Sequence, residues 1–323
     1  KQRLRENTFI TKENIIYKKI LPFFKDKKIN TITAKDVIKW QNELLAYRDE
    51  NGKPYSKTYL KTIHNQLSAI FNHAIRYYDL KSNPAAKAGH IGEKEAGEME
   101  FWTKEEYQKF ADAIMGKPKS FYAFEVLYWC GIRVGELLAL TPGDFDFENG
   151  LLRINKSYQR IGKRDVITEP KTKAAVRTLL LPPKVLEVFR EYRKRNVSRW
   201  LFPSPKKEDS PLLPSVVRQR LHRLLDHAGC ERVRFHDLRH TFATNALAHG
   251  MDIKTLSTIL GHVSAATTLN TYSHITEEMR QQAAARIDAG IAKAQPLPAE
   301  ENTLQERTMT DFQARKRWSR RTA

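Results

Sequence analysis

The sequence predicts a mainly α-helical protein with a small antiparallel β-sheet (an α+β fold), organised as two units, and three features predict it. Apolar residues recur at helical spacing through most of the chain. Between residues 151 and 181 short β-branched runs, broken by Gly and basic residues, take over. A charged, Pro- and Gly-broken stretch with no apolar period separates the two helical parts.

From Thr11 to about Pro84 the pattern is helical and Gly-poor, with helix starts at Thr33 and Ser56, whose hydroxyls can accept from the free N–H groups of a first turn. After Ser56, the residues Leu60, Ile63, Leu67, Ile70, Phe71, Ala74 and Ile75 predict one long amphipathic helix. Lys57, Lys61, His64 and Asn65 are assigned to its other side, which fits either a solvated face or a contact face. NPAAKAGHIGEKEAGEME, residues 83–100, reads as a linker. Thr103 starts the next helix. The stretch FYAFEVLYWCGIRVGELLAL, residues 121–140, has the length of a membrane span, but Glu125, Arg133 and Glu136 inside it mark a buried helix of a soluble fold. Then GLLRINKSYQRI, DVITEP and VRTLLLP predict antiparallel strands joined by hairpins, with KTKAA at a turn. Helices return after Pro182 and run to about Ala294; residues 295–323 are rich in Pro and charge and carry RKRWSRR.

Composition narrows the partners. The 323 residues hold 56 Lys+Arg against 37 Asp+Glu, a formal charge of +19, and 41% are hydrophobic, so the charge decorates a folded body and points to a polyanion. Cys130 and Cys230 lack the spacing of a zinc cluster or a disulfide framework, which suggests buried thiols in a reducing, cytoplasmic setting. The first residue is Lys, so the chain reads as a piece of a longer one.

HDLRHTFAT, residues 236–244, places His236, Arg239 and His240 on one helix face. Two histidines four apart raise a metal site, but zinc hydrolases of that spacing carry Glu after the first His, where this chain has Asp237. An arginine between the ligands would also repel a dication. A phosphate survives that test. Elsewhere Arg133 follows a Gly at a break in the apolar stretch, with Glu136 one turn on; Lys171 is expected at a hairpin tip; Gly261 ends a helix before His262; and Ser264 can cap a helix carrying Tyr272. Taken singly, each has a bland reading: an internal Arg–Glu pair, a solvated lysine, a turn histidine, a half-buried tyrosine.

In order, GIRVGEL, KTKAAVRT, HDLRHTFAT, LGH and TTLNTYSHI resemble the active-site boxes of the tyrosine recombinases, the phage-integrase family, and the resemblance runs from roughly Ile10 to Ile291. KTIHNQLSAIFNHAIRYY resembles the core-binding domain of integrases from phages and conjugative transposons, which favours DNA contact for Lys57, Lys61, His64 and Asn65. The resemblance implies a helical core-site DNA-binding domain at residues 1–84, a linker at 85–100, a catalytic domain at 101–294 and a basic tail at 295–323, the two domains forming a clamp on duplex DNA.

It also implies roles. Tyr272 is the nucleophile that forms a 3′-phosphotyrosyl ester; Arg133 and Arg239 stabilise the phosphoryl charge, with His262 adding a hydrogen bond; Lys171 is the general acid on the leaving 5′-oxygen and His236 a base and positioning group. The place of His240 on the helix allows a supporting hydrogen bond, with packing or support of a neighbouring side chain expected rather than catalysis, and Glu136 and Asp237 are expected to be structural partners. Neither metal nor other cofactor is called for. The expected assembly is a homo-tetramer resolving a Holliday junction, with the helix after Tyr272 exchanged between subunits or packed on its own domain. An accessory directionality factor is a further expected partner, the membrane is not, and the setting is the bacterial nucleoid. The element served is expected to be mobile, with a Xer-like dimer resolvase as the alternative, and a type IB topoisomerase or a non-catalytic DNA-binding module behind it. An arm-site-binding domain ahead of residue 1 is compatible with the non-Met start.

Overall fold

The computed structural model describes residues 4–93, 101–170, 172–194, 198–205, 210–272 and 284. Its first unit is all helical. Helix α1, Glu6–Ile15, continues through a π-helical turn, Ile16–Ile20, into α2, Leu21–Phe24, and the indole N–H of Trp40 donates to the Lys19 carbonyl at 2.8 Å beside that turn. Helix α3, Ala34–Ala46, opens on a capping box between Thr33 and Asp36, which satisfies two N–H groups that a helix start otherwise leaves free. Helix α4, Lys57–Tyr77, is capped by Ser56, as its sequence predicts. Trp40, Ile63, Leu67 and Phe71 form the core between these helices.

The linker reading fails at its start. Pro84–Ala88 is helix α5, capped by the Asn83 side chain, and Ala85 is fully buried in the first core. Pro at the first helical position costs no hydrogen bond, and the small apolar residues after it suit a packed turn, so Asn-Pro here starts a helix. Residues 94–100 lie outside the described residues.

The second unit begins with α6, Lys104–Ile114, on a Thr103–Glu106 capping box. The long apolar stretch then splits into α7, Pro118–Cys130, and α8, Val134–Ala139. Among the described residues no helix is long and apolar enough to cross a membrane. Strand β1, Phe145–Asp146, pairs with β2, Leu151–Ile154. Instead of one sheet with hairpins, the described residues form two: β2 also pairs with β5, Arg177–Leu180, while β3, Ser157–Ile161, and β4, Arg164–Thr168, form a separate hairpin. The break falls at residues 155–156, where the Lys156 ammonium is drawn to the carboxylate of Asp144 at 2.5 Å. The strands on either side of the KTKAA turn, β4 and β5, therefore fall in different sheets and do not pair with each other.

Among the described residues the unit continues with α9, Pro183–Lys194; α10, Pro214–Ala228; α11, Phe235–Ala248; α12, Ile253–Leu260; and the short α13, Ala265–Thr271. Phe110, Phe124, Leu127, Leu137, Leu221, Leu225 and Leu238 fill the main core, burying α7 against α11 and α10 against α6. Cys130 is buried and Cys230 half-buried, both as free thiols. The two units touch where Glu6 pairs with Arg164 and Arg5 donates to the Glu169 carbonyl at 3.4 Å.

Candidate active site

Three chain breaks build the site. The first is Gly131, which ends α7 in the left-handed region at φ 57°; a Cβ there would stand 2.3 Å from the Phe242 ring, so both backbone and space require glycine. Two residues on, Arg133 is the N-cap residue of α8. Its backbone N–H donates to Glu136 Oε2 and its Nη1 to Glu136 Oε1, each at 2.9 Å, while its side chain stays 40% exposed at the rim of a cleft.

The second break is Gly261, the left-handed C-cap of α12, which turns the chain so that His262 reaches the same cleft. Thr268 Oγ1 lies 2.8 Å from His262 Nδ1 and fixes that ring. Burial, then Arg239 and Arg133, push the imidazole down to about 4, so it is neutral at ordinary pH. Ser264 stands at the N-cap of α13, but its hydroxyl faces Thr267 Oγ1 at 3.5 Å and makes no capping bond.

The third is the start of α11. Arg234 and Asp237 bond each other there, and Arg239 lies one turn in, only 3% exposed. Its guanidinium donates from Nη1 to the Gly131 carbonyl at 2.8 Å and from Nη2 to the Leu260 carbonyl, bridging the two glycine breaks. Burial, reinforced by Arg133, lowers it to about 9, which still leaves it charged at neutral pH. His236 is exposed at the solvent end of the helix, its ring edge-on to that of His240 with centroids 4.7 Å apart.

Tyr272 is deeper than a half-buried tyrosine. It is 2% exposed and packs with Ala243, Leu247, Leu256 and Leu260. Its hydroxyl lies 2.7 Å from His240 Nδ1. Burial raises the phenol to about 12 and lowers the His240 imidazole to about 4, so both are neutral and share one hydrogen bond. The supporting hydrogen bond that the place of His240 on the helix allows is thus made to the tyrosine.

Arg133, Glu136, Pro170, Thr172, His262 and Thr267 are among the residues lining the cleft, about 420 Å³ in volume. Lys171 lies outside the described residues, though its neighbours Pro170 and Thr172 are in that lining. The structure therefore brings Arg133 and His262 to one cavity with Arg239 bonded to the backbone beneath, and keeps Tyr272 behind His240. Among the described residues no three His, Cys, Asp or Glu side chains gather as a metal site.

Helix α4 does not line this cleft. Lys57 and Asn65 are exposed and Lys61 half-exposed, with Lys57 paired to Glu93 at 3.2 Å. His64 corrects the sequence reading: it is fully buried, its Nδ1 3.2 Å from Gln41 Nε2, and it belongs to the core side of the helix. Sequence reasoning also missed Arg177, buried under the cleft with Nη2 2.9 Å from Glu136 Oε2. The available signal was alternation: Arg177 shares the inward phase of β5 with Leu179, where a lone apolar residue would be expected.

The model of the phage integrase family matches residues 100–279, and that of the phage integrase N-terminal SAM-like domain matches residues 1–45. The chain is 28% identical over 283 residues to a XerC-like tyrosine recombinase of Caldanaerobacter subterraneus, covering 79% of this chain and 71% of the relative. It is 25% identical over 297 residues to the ICEBs1 integrase of Bacillus subtilis, covering 88% and 78%. Among solved structures, the Tn1549 transposon integrase in complex with transposon right end DNA superposes with a TM-score of 0.71 at 24% identity, over 88% of this chain and 95% of that one, a likeness of fold.

Proposed function

The chain belongs to the phage integrase family of tyrosine recombinases, and from that premise we propose that it is the integrase of a mobile element, cutting and rejoining duplex DNA at this cleft. The observation that carries the reading is the pair of arginines: Arg133 open at the rim and Arg239 charged beneath it, with Tyr272 buried against His240 of the helix that carries Arg239.

In the proposed reaction the Tyr272 oxygen attacks the scissile phosphorus, a P–O bond to tyrosine forms, and the bond to the 5′-oxygen breaks. Lys171 supplies the proton that the leaving oxygen takes up, and His236 assists as base. Arg133 and Arg239 stabilise the charge on the non-bridging oxygens, with a hydrogen bond from His262. Because the phosphotyrosyl ester conserves the energy of the broken bond, a second strand's 5′-hydroxyl can displace the tyrosine without ATP. Tyr272 must first leave His240 and turn to the cleft, so DNA docking has to offset the loss of that hydrogen bond.

Lys57, Lys61 and Asn65 suit contact with the DNA backbone from the first unit, where each neutralised phosphate releases counterion. Exchanging four strands requires four nucleophiles, so the active assembly is a tetramer on paired sites, passing through a Holliday junction. Residues beyond Tyr272 are the candidates for linking neighbours.

The test is a nicked suicide duplex carrying the element's attachment site, incubated in chelator without ATP. A covalent adduct on a denaturing gel, lost in Tyr272→Phe while band-shift binding persists, is the expected result. Binding without an adduct on any such site would leave a DNA-binding module as the better reading.

A further inference from the structure

A buried guanidinium that the reaction above does not use lies beneath the cleft. The Arg177 side chain is 3% exposed on the inner face of β5. It donates to both Glu136 oxygens, from Nη2 to Oε2 at 2.9 Å and from Nη1 to Oε1 at 3.2 Å. Nη1 also reaches the Ala175 carbonyl at 3.1 Å, and Nε the Ile259 carbonyl. One side chain therefore ties together the first turn of α8, the Ala175 turn, and the end of α12 before the His262 turn. Gly261 makes the room, since a Cβ there would stand 3.1 Å from Nη1 and 3.2 Å from the Ala174 carbonyl oxygen.

The charge count gives this bond its meaning. The Glu136 side chain is 4% exposed and takes both the backbone N–H and the guanidinium of Arg133. Glu136 and Arg133 by themselves are neutral as a pair, and a carboxylate at that distance holds the guanidinium's charge inside the protein. Arg177 on the same carboxylate leaves the trio with a net charge of +1, and its exposed member is Arg133, at the cleft.

We propose that Arg177 is a positioning residue that neutralises Glu136 from beneath and so releases the charge of Arg133 to the phosphate, while its carbonyl bonds hold the Ala175 turn and the end of α12 against it. The proposal rests on the cleft being the phosphoryl-transfer site. Glu136 is suited to the part because the hydrogen bond and charge of Arg177 outweigh the effect of burial, keeping its carboxyl below the ordinary range and ionised.

The test uses the full chain and two suicide duplexes of one sequence, one with an ordinary scissile phosphodiester and one with a neutral methylphosphonate there. Wild-type protein forming no adduct on the diester would remove the phosphoryl-transfer reading and this proposal with it. With wild type active, Arg177→Met is expected to cleave the diester about 100-fold more slowly at nearly unchanged DNA affinity. On the methylphosphonate, which has no anionic charge to stabilise, the loss shrinks to about five-fold or less. Adding Glu136→Gln to Arg177→Met recovers about ten-fold on the diester, because the carboxylate that captures Arg133 is gone. Arg177→Lys keeps the compensating charge without the fork, serves as the second variant if Arg177→Met fails to fold, and is expected to stay within about ten-fold of wild type. Equal losses on the two linkages, a double variant no better than the single one, or Arg177→Lys losing 100-fold would each mean packing rather than charge and overturn the proposal.

Discussion

Helices α4 and α11 use the same alphabet and bury opposite things. Helix α4 turns Leu60, Ile63, Leu67 and Phe71 inward and leaves Lys57, Asn65 and Asn72 outside. Helix α11 buries Asp237, Arg239, His240, Thr241 and Thr244 beside Leu238, Ala243 and Leu247. Most of those polar groups are answered: Asp237 by Arg234, Arg239 by two carbonyls, Thr241 by the Asp237 carbonyl and the Trp102 N–H, and His240 by Tyr272 at Nδ1, its buried Nε2 having no hydrogen-bond partner among the described residues. Desolvating a charge or an amide costs free energy that such partners only partly return, whereas apolar burial is favourable outright. A helix that buries so much polarity is therefore weakly justified by stability and well justified by a site. The first unit holds by its apolar core; the second carries, inside its core, the charges that the proposed reaction uses.

The comparison breaks most severely at Arg239. Arg239→Ala removes a charge and strands the Gly131 and Leu260 carbonyls. Cleavage on the suicide duplex is expected to fall by about 100- to 1,000-fold while band-shift affinity changes far less. An unchanged cleavage rate in a folded Arg239→Ala protein would reduce α11 to an ordinary helix.

Acid sharpens the contrast next. His240 and His262 sit at about 4 in the folded protein against an unfolded value near 6.5, so the unfolded chain binds more protons between those limits. Their contribution to stability is complete above pH 6.5, declines as pH falls towards 4, and stops declining below. Thermal unfolding followed across that window is expected to show the decline in wild type and a shallower one in His240→Phe.

His64 is the polar exception on α4. His64→Ala is expected to cost about 1–3 kcal/mol in chemical denaturation, as a cavity in the first core does, and to leave DNA affinity unchanged for the folded fraction. A loss of affinity without loss of stability would return His64 to the contact face. The smallest effect belongs to Lys57 and Lys61. The Lys57–Glu93 pair is exposed on both sides, so replacing both lysines with Ala shifts stability by about 0.5 kcal/mol or less. Band shifts at several salt concentrations are expected to lose about one to two units of logarithmic salt slope.

What was legible in the sequence was mostly local. The caps at Ser56, Thr33 and Thr103, the break at Gly131 and the order of the boxes all rest on neighbours within a turn or two. His64 was legible and misread: it stands four residues from Leu60, three from Leu67 and seven from Phe71, inside the apolar stripe, and helical phase outweighed side-chain type. Asn83–Pro84 has the composition of a breaker but opens a helix. The rest depends on distant partners. Arg177 meets Glu136 from 41 residues away and Ile259 from 82, and His240 meets Tyr272 from 32, pairings that no period in the chain encodes. The split of the strands into two sheets is likewise set by which distant strand β5 joins.

The central claim is that Tyr272, stored behind His240, becomes the atom joined to DNA. Peptide mapping of the covalent adduct by mass spectrometry tests it most directly. The account predicts a single modified peptide containing Tyr272, carrying the nucleotide through its 3′-phosphate. A nucleotide attached to any other residue, or a free 3′-phosphate end with no peptide attached throughout the time course, would contradict it.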